Sequence, residues 1–151
     1  MLQLARPVDR TVINQIAAQV HCLHVHWRPD IYKMEDELWP QQRFDAAVVD
    51  RQLFCAKIED QVVGYVLLKV RNYSMPGHVR RNVLVVDEIC VDEKLRNKGI
   101  GTEMMFGARA IAKAFGCTDL QLGVYPQNNE AIAFYQKCGF RIRSIDMQLH
   151  L

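Results

Sequence analysis

The sequence lacks the features that mark several classes of protein. No apolar run approaches the roughly 18 residues that a membrane span needs. The first ten residues, MLQLARPVDR, contain no apolar core of the length found in a secretory signal. The net charge of +2 is too small for the concentrated basic face of a nucleic-acid-binding protein. We therefore expect neither a membrane partner nor a nucleic-acid partner.

Cysteine and metal-ligand patterns are also sparse. The five cysteines are scattered, odd in number and form no Cys-x-x-Cys pair, which argues against a disulfide framework or a zinc ribbon. A reducing, cytoplasmic location is expected on that ground. His21 and His24 are three residues apart, but no cysteine or carboxylate with matching spacing accompanies them. The sequence therefore predicts no metal site.

What is present is the composition of an ordinary globular protein. Half of the 151 residues are hydrophobic and 24% are charged. No repeat or low-complexity linker divides the chain, so a single domain over residues 1–151 is predicted.

The periodicity of apolar residues predicts a mixed α/β fold. Strand-like and helical runs follow the order β-α-α-β-β-β-α-β-α-β. The turn near residues 59–61 predicts an antiparallel hairpin, and the strand–helix–strand unit over 82–126 predicts a parallel crossover. We expect a central mixed sheet of six to seven strands with helices on both faces. The predicted strands are 3–6, 53–60, 61–72, 82–91, 119–126 and 140–149, and the predicted helices are 8–26, 30–50 with an interruption at Pro40, 101–115 and 128–138.

A glycine-containing turn, LRNKGIGTEMM at 95–105, joins a predicted strand to a helix. Gly99 and Gly101 lack side chains that would obstruct a phosphate, and Arg96 and Lys98 add positive charge beside a helix N-terminus. A pyrophosphate-binding loop is one interpretation, and a tight connection that uses glycine for geometry is the other. No Gly-Lys-Ser/Thr is present for a P-loop, and Met104 stands where a dinucleotide fingerprint needs a small residue.

Two motifs together resemble the GNAT superfamily of N-acetyltransferases. ICVDEKLRNKGIGTEMM at 89–105 resembles its acetyl-coenzyme A signature, Arg/Gln-x-x-Gly-x-Gly/Ala after a strand. VYPQNNEAIAFYQKCGF at 124–140 resembles the Asn-x-x-Ala-x-x-Phe-Tyr run that ends most members. HCLHVHWRPDIYK at 21–33 is similar to a stretch in poorly characterised members. The resemblance implies a GNAT-like sheet and acetyl-coenzyme A (acetyl-CoA) as cosubstrate, without a metal.

The resemblance also implies where the cosubstrate binds. A strand backbone pairs with the pantetheine arm, loop N–H groups hold the pyrophosphate with the help of an arginine, and an asparagine and a tyrosine complete the site. The implied cofactor-binding residues are Ile89, Cys90, Val91, Arg96, Asn97, Lys98, Gly99, Ile100, Gly101, Thr102, Asn128 and Tyr135. A bulge in the strand would widen the gap for the arm, but the sequence does not reveal one.

Glu88 and Tyr135 are the predicted catalytic residues. Amine acetylation needs a base, and Glu88 lies in an otherwise apolar strand, where an unpaired carboxylate is costly. Alternation predicts that Asp87 points to the opposite face. The other interpretation is a solvent-facing Glu88, or one paired with Arg80 or Arg81. Tyr135 would donate a proton to the leaving thiolate, unless it is only a core aromatic residue.

The sequence therefore predicts an N-acetyltransferase. It would move the acetyl group of acetyl-CoA directly to a primary amine in a ternary complex, the acceptor being a small-molecule or protein amine. The alternative is a non-catalytic acyl-CoA-binding module, and a nicotinamide-dinucleotide binder is a third, weaker interpretation. The final strand is also a candidate for pairing across a homodimer.

Overall fold

The computed structural model describes residues 2–151, and Met1, the first residue of the predicted domain, lies outside them. Two short 3-10 turns, Pro7–Asp9 and Glu93–Leu95, accompany the main elements. The strands are Leu2–Leu4 (β1), Leu53–Ile58 (β2), Gln61–Tyr73 (β3), Arg81–Val91 (β4) and Asp119–Leu122 (β5). The helices are Arg10–Trp27 (α1), Gln41–Val49 (α2), Ile100–Ala114 (α3) and Asn129–Lys137 (α4).

The strands form one mixed sheet in the order β1-β2-β3-β4-β5. The first four strands pair antiparallel and β5 pairs parallel to β4. The predicted hairpin is confirmed: Glu59 and Asp60 connect β2 to β3, with φ angles of 49° and 64° in the left-handed region. The predicted parallel pairing after the helical crossover is confirmed as well.

Helices cover both faces of the sheet, as predicted. On one face, α1 and α2 bury Ile13, Ile16 and Phe44 against the β3 side chains Tyr65 and Leu67. On the other face, α3 buries its methionines and alanines, and α4 packs its partly buried aromatic residues against the same core. Successive side chains of a strand alternate between the two cores, because a pleated strand has a side-chain period of two.

The predicted second helical region is only partly helical. The helix α2 begins at Gln41, directly after Pro40, whose extended backbone (ψ 155°) ends the preceding loop. The segment 28–40 forms turns and irregular chain. Pro29 ends α1, and the acidic run at 35–37 stays exposed. This loop reaches the chain just after β5, where the Tyr32 hydroxyl lies 2.9 Å from the Tyr125 hydroxyl.

The predicted final strand is wrong for the residues that the structure describes. Residues 140–149 have no regular secondary structure, so the sheet has five strands instead of the expected six to seven. The alternating apolar pattern was the basis of that prediction. A strand also needs a neighbouring edge that accepts and donates hydrogen bonds, and residues 141–151 form no ladder with β5.

A buried ion pair anchors the first turn of the chain to β2. Lys57 donates to both carboxylate oxygens of Asp9 at 2.9 Å, and the two side chains are 2% and 4% exposed. The backbone N–H of Arg6 also donates to Asp9, at 2.7 Å. Burial raises the pKa of Asp9, but the hydrogen bonds from Lys57 and from the Arg6 backbone outweigh it and lower the pKa.

Candidate active site

An extra residue in β4 opens a gap in the sheet. Leu67 of β3 faces Glu88, whereas the next residue, Leu68, faces Val86, so Asp87 forms a β-bulge. The pairing of β4 with β5 ends at Val86. A bulge bends its strand and re-aims the residues that follow. Beyond the bulge, the edge of β4 that faces β5 has no paired strand, and the bulge that the sequence did not reveal is present.

The backbone of β4 beyond the bulge points polar groups into this gap. The N–H of Asp92 donates to the carbonyl oxygen of Val63 on β3, at 3.0 Å. Antiparallel alternation directs the backbone groups of Cys90 to β3 as well, and those of Ile89 and Val91 to the open side. The Val91 carbonyl oxygen accepts a hydrogen bond from Arg96 Nε at 3.2 Å. The N–H and C=O of Ile89 and the N–H of Val91 therefore face the gap.

The loop after β4 places the N-terminus of α3, which we call the helix mouth, at the end of the gap. Asn97 and Gly99 both have left-handed backbones, with φ angles of 63° and 82°. The first bond at the start of α3 runs from Glu103 N–H to the Gly99 carbonyl oxygen, at 3.1 Å. The N–H groups of Ile100, Gly101 and Thr102 precede that bond, so they point out of the helix mouth.

The two glycines of the turn have different structural reasons. Gly99 needs the left-handed backbone, which glycine adopts without steric cost. Gly101 has an ordinary helical backbone, but a Cβ there would lie 3.2 Å from the Phe134 ring of α4. Gly101 therefore permits the close approach of α3 and α4, which the sequence interpretation did not include.

The helix α4 brings Asn128 and Tyr135 to the other side of the gap. Asn128 Oδ1 accepts the Ala131 N–H at 3.1 Å and so caps the helix start, as predicted. Tyr135 packs against Phe134 and Phe140, with ring centroids 5.3 and 5.9 Å away. Burial, with smaller contributions from the thiols of Cys90 and Cys138, raises the pKa of Tyr135 to about 12. Tyr135 thus lies near β4 and keeps its proton.

The bulge turns Glu88 toward the face of α1 and α2. Its carboxylate accepts the Tyr65 hydroxyl at 2.8 Å and forms an ion pair with Arg43 of α2. The Arg43 guanidinium lies 3.8 Å over the Trp39 ring, which holds it in place. The alternative partners considered from the sequence, Arg80 and Arg81, do not pair with Glu88 in the part of the chain that is described.

The expected position of Asp87 is wrong. Asp87 pairs with Lys69 of β3, and Glu88 bonds Tyr65 of the same strand. Tyr65 and Lys69 are four residues apart, so they share one face of β3. Both carboxylates therefore point to the same side, because a bulged residue and its successor no longer alternate.

An aromatic group lies beside Glu88, and sequence reasoning identified it only in part. The His24 ring of α1 is 5.2 Å from the Tyr32 ring and 5.7 Å from the Tyr125 ring, and the two tyrosine hydroxyls are 2.9 Å apart. Burial and then the nearby His21 lower the pKa of His24, although the Glu88 charge opposes them. Tyr32 and the histidines belong to the stretch 21–33, and that resemblance was the only signal for this group.

Over residues 2–151, the structure contains neither a metal-ligand cluster nor a helix suited to a membrane span. No three histidine, cysteine or acidic side chains there are grouped as they would be around a metal ion. No helix in that range has the length and apolar character needed to cross a membrane.

The chain matches a known protein family and is similar to several N-acetyltransferases. A model of the acetyltransferase (GNAT) family matches residues 20–140. The uncharacterized N-acetyltransferase YvbK of Bacillus subtilis is 32% identical over 101 residues, which cover 66% of this chain and 59% of that protein. The L-amino acid N-acetyltransferase AaaT of Escherichia coli is 25% identical over 126 residues, covering 78% and 74%. The chain thus spans less than two thirds of the Bacillus relative.

A solved structure has nearly the same fold. A mutant form of the BH1408 protein from Bacillus halodurans superposes with a TM-score of 0.94 at 27% identity. The match covers 100% of this chain and 99% of that one. The similarity therefore includes all of the elements that surround the gap.

Proposed function

This chain belongs to the acetyltransferase (GNAT) family, and from that premise we propose that it transfers the acetyl group of acetyl-CoA to a primary amine. The observation that carries the proposal is the open edge of β4 beyond Asp87, with the mouth of α3 at one end and Tyr135 across the gap. A long, thin donor with a diphosphate at one end and a thioester at the other matches that arrangement.

The chain's own groups fit each part of acetyl-CoA. The carbonyl oxygen of Ile89 and the N–H of Val91 would pair with the amides of the pantetheine arm, as a strand pairs at a sheet edge. The N–H groups from Asn97 to Thr102 would hold the pyrophosphate, helped by the partial positive charge of the α3 N-terminus. The Oδ1 atom of Asn128 caps α4. Its side-chain NH₂ group can therefore donate a hydrogen bond to acetyl-CoA.

Glu88 is proposed as the acceptor of the amine's proton. A primary amine has a pKa near 10.4 and is mostly protonated at neutral pH, so it must lose a proton before it attacks. The Arg43 ion pair and the Tyr65 hydroxyl fix the position of the Glu88 side chain beside the aromatic group of His24, Tyr32 and Tyr125. The amine would enter past that group, and its proton would pass to Glu88 directly or through one water.

The transfer step would then proceed without a covalent enzyme intermediate. The amine nitrogen bonds to the thioester carbon, and the Ile89 N–H, which is next to Glu88 on the open edge of β4, stabilises the oxyanion that forms. The carbon–sulfur bond breaks, and Tyr135 gives its proton to the leaving thiolate. A tyrosine whose pKa is about 12 is protonated throughout the neutral range, as this role requires. Cys90 is not proposed as a nucleophile, because burial raises the pKa of its thiol to about 12.

A panel of amines tests the proposal. The panel would hold L-amino acids, suggested by the name of the Escherichia coli relative, with polyamines, antibiotic-like amines and peptides that have a free N-terminus or a lysine. Release of the CoA thiol and the mass of the product are measured. Turnover with a product heavier by one acetyl group supports the proposal. Stabilisation by acetyl-CoA with no turnover on any amine would indicate a non-catalytic acyl-CoA-binding module.

A further inference from the structure

The carboxylate of Glu88 has one buried partner and one exposed partner. Its Oε2 atom accepts the hydroxyl of Tyr65, which is 1% exposed and belongs to the core. Its Oε1 atom pairs with Arg43, whose side chain is 40% exposed, and the Glu88 side chain is 30% exposed. An amine that reaches Glu88 from solvent therefore meets the Arg43 guanidinium beside the same carboxylate oxygen.

Arg43 is held in position and still has hydrogen-bond donors to offer. Its guanidinium lies 3.8 Å over the Trp39 ring, and one of its N–H groups donates to the Leu38 carbonyl oxygen at 2.7 Å. An arginine has five N–H donors in a rigid, planar fork. Within residues 2–151, two of them have partners, at Leu38 and at Glu88, so three can donate to a ligand. The fork matches the two oxygens of a carboxylate.

An alkylamine without a negative group fits this ion pair poorly. It arrives mostly as an ammonium ion, because a primary amine has a pKa near 10.4. The ammonium and the Arg43 guanidinium would share one oxygen of Glu88, and like charges at that separation repel each other. An amine that has a carboxylate next to its nitrogen avoids this repulsion, because the carboxylate lies between the two cations.

We propose that the acceptor is a free α-amino acid, and that Arg43 binds its carboxylate while Glu88 binds its ammonium group. This inference rests on the proposed function. The four groups would form a closed ring of alternating charges, in which each charge has two neighbours of opposite sign. The amine proton then passes to Glu88 and the nitrogen forms the amide bond, whereas the carboxylate of the amino acid does not react. Arg43 is thus a specificity-determining residue.

The side chain of the amino acid would lie against the aromatic group of His24, Tyr32 and Tyr125. That group is beside Glu88, whose charge acts on His24, and its three rings lie within 6.1 Å of one another. Aromatic side chains pack well against other rings, edge to face or offset. Phenylalanine is therefore the first amino acid to test.

Three compounds with one side chain separate the role of the carboxylate from that of the amine. L-Phenylalanine has the carboxylate, L-phenylalaninamide replaces it with a neutral amide, and phenethylamine lacks it. A hydrogen bond to a charged group is worth about 10- to 100-fold, so kcat/KM should be about 30-fold higher for L-phenylalanine than for either analogue. The α-amine of the amide has a pKa near 8, so more of it is neutral at pH 7.5. A preference for the acid therefore cannot arise from a more easily deprotonated amine.

Substitution of Arg43 tests the assigned residue. Arg43→Gln should bring the kcat/KM ratio of L-phenylalanine to phenethylamine within threefold of one, and Arg43→Lys should keep part of the preference, because lysine retains the charge but not the fork. The ratio is taken within one variant, so any general loss from a displaced Glu88 cancels. Arg71→Gln, which changes an exposed arginine of β3, is the matched control and should keep the natural ratio.

Calorimetry in the presence of CoA gives a readout that does not need turnover. L-Phenylalanine should bind the natural chain about 30-fold more tightly than phenethylamine does, and Arg43→Gln should remove that difference. Equal binding of the two compounds, or a difference that Arg43→Gln leaves unchanged, overturns the inference. Absence of turnover with every amine refutes the proposed function separately, and the binding result still decides the role of Arg43.

The amine panel gives a second, independent decision. An acceptor without a carboxylate beside its amine that is turned over faster than every amino acid overturns the inference and leaves the acetyltransferase in place. Faster turnover of phosphoethanolamine would do the same, because Arg43 would then bind a phosphate. If another amino acid exceeds phenylalanine, the inference holds and the acid, amide and decarboxylated amine are compared for that side chain.

Discussion

The substitution Tyr135→Phe gives the sharpest test of the proposed mechanism. It removes one hydroxyl and keeps the ring that packs against Phe134 and Phe140. General acids contribute about 10²- to 10⁴-fold to a rate, and a thiolate whose thiol has a pKa near 8.5 needs relatively little help to leave. We therefore expect kcat to fall about 100-fold, which corresponds to about 2.7 kcal/mol of transition-state stabilisation.

The assay follows thiol release under saturating acetyl-CoA, with the amine found in the panel. The KM for acetyl-CoA and its binding heat should stay within about twofold, because an acid that acts only in the transition state lowers kcat without changing ground-state binding. In the natural chain, the pKa of about 12 keeps Tyr135 protonated, so its titration should not lower the rate below pH 10. Tyr73→Phe removes a hydroxyl from the far end of β3 as the control. A Tyr135→Phe rate within threefold of the natural rate would refute the assignment.

Three further changes test other parts of the structure. Glu88→Gln keeps the shape but removes the proposed proton acceptor, so kcat/KM for the amine should fall about 100-fold in steady-state assays. Gly101→Ala adds a Cβ 3.2 Å from the Phe134 ring of α4, so this ring must give way where α3 begins, and calorimetry should show acetyl-CoA binding at least tenfold weaker. Lys57→Met leaves Asp9 charged and buried, and chemical denaturation at pH 7 should show a loss of about 3–5 kcal/mol. Because folding lowers the pKa of Asp9, its contribution to folding stability is present above about pH 4 and is lost at lower pH. The natural chain should therefore lose this part of its stability on acidification, whereas Lys57→Met should not.

Each of these changes has a matched control in the same chain. Asp87→Asn alters the neighbouring carboxylate, which Lys69 holds, and should leave the rate unchanged; an equal loss would remove Glu88 from its role. Gly107 lies on the same helix as Gly101. Gly107→Ala places a Cβ 2.9 Å from the Leu2 side chain of β1, so it should disturb packing without weakening acetyl-CoA binding. Asp9→Asn combined with Lys57→Met should recover part of the lost stability. No recovery would mean that the unpaired charge is not the cause.

Local signals predicted the elements that depend on neighbouring residues. The hairpin at Glu59–Asp60 and the cap at Asn128 follow from short turn and cap patterns, and α3 begins one residue from the predicted start. The motif resemblance supplied the family and the set of residues around the gap. These features need only a few consecutive residues to be defined, so a single sequence contains the necessary information.

Features that depend on the exact register or side-chain contacts between distant segments could not be predicted. The bulge at Asp87 arises from the register between β3 and β4, and the contact of Arg43 with Glu88 joins residues 45 positions apart. The aromatic group around His24 unites α1, the following loop and the chain after β5. The alternation of apolar and polar residues in 140–149 predicted a strand. Periodicity within one segment does not show which strand edge it would pair with.

Because Asp87 is an additional residue in β4, the proposed chemistry depends on the number of residues in this strand as well as on their identity. Removing it would restore a regular ladder in which Glu88 directly follows Val86, so Glu88 and Cys90 would keep their face, but the bend of the strand at the start of the gap would be lost although every remaining side chain would be unchanged. A one-residue deletion in this strand should therefore be more harmful than most substitutions there. When homologous chains are aligned or redesigned, the number of residues between Val86 and Gly99 matters as much as their identity.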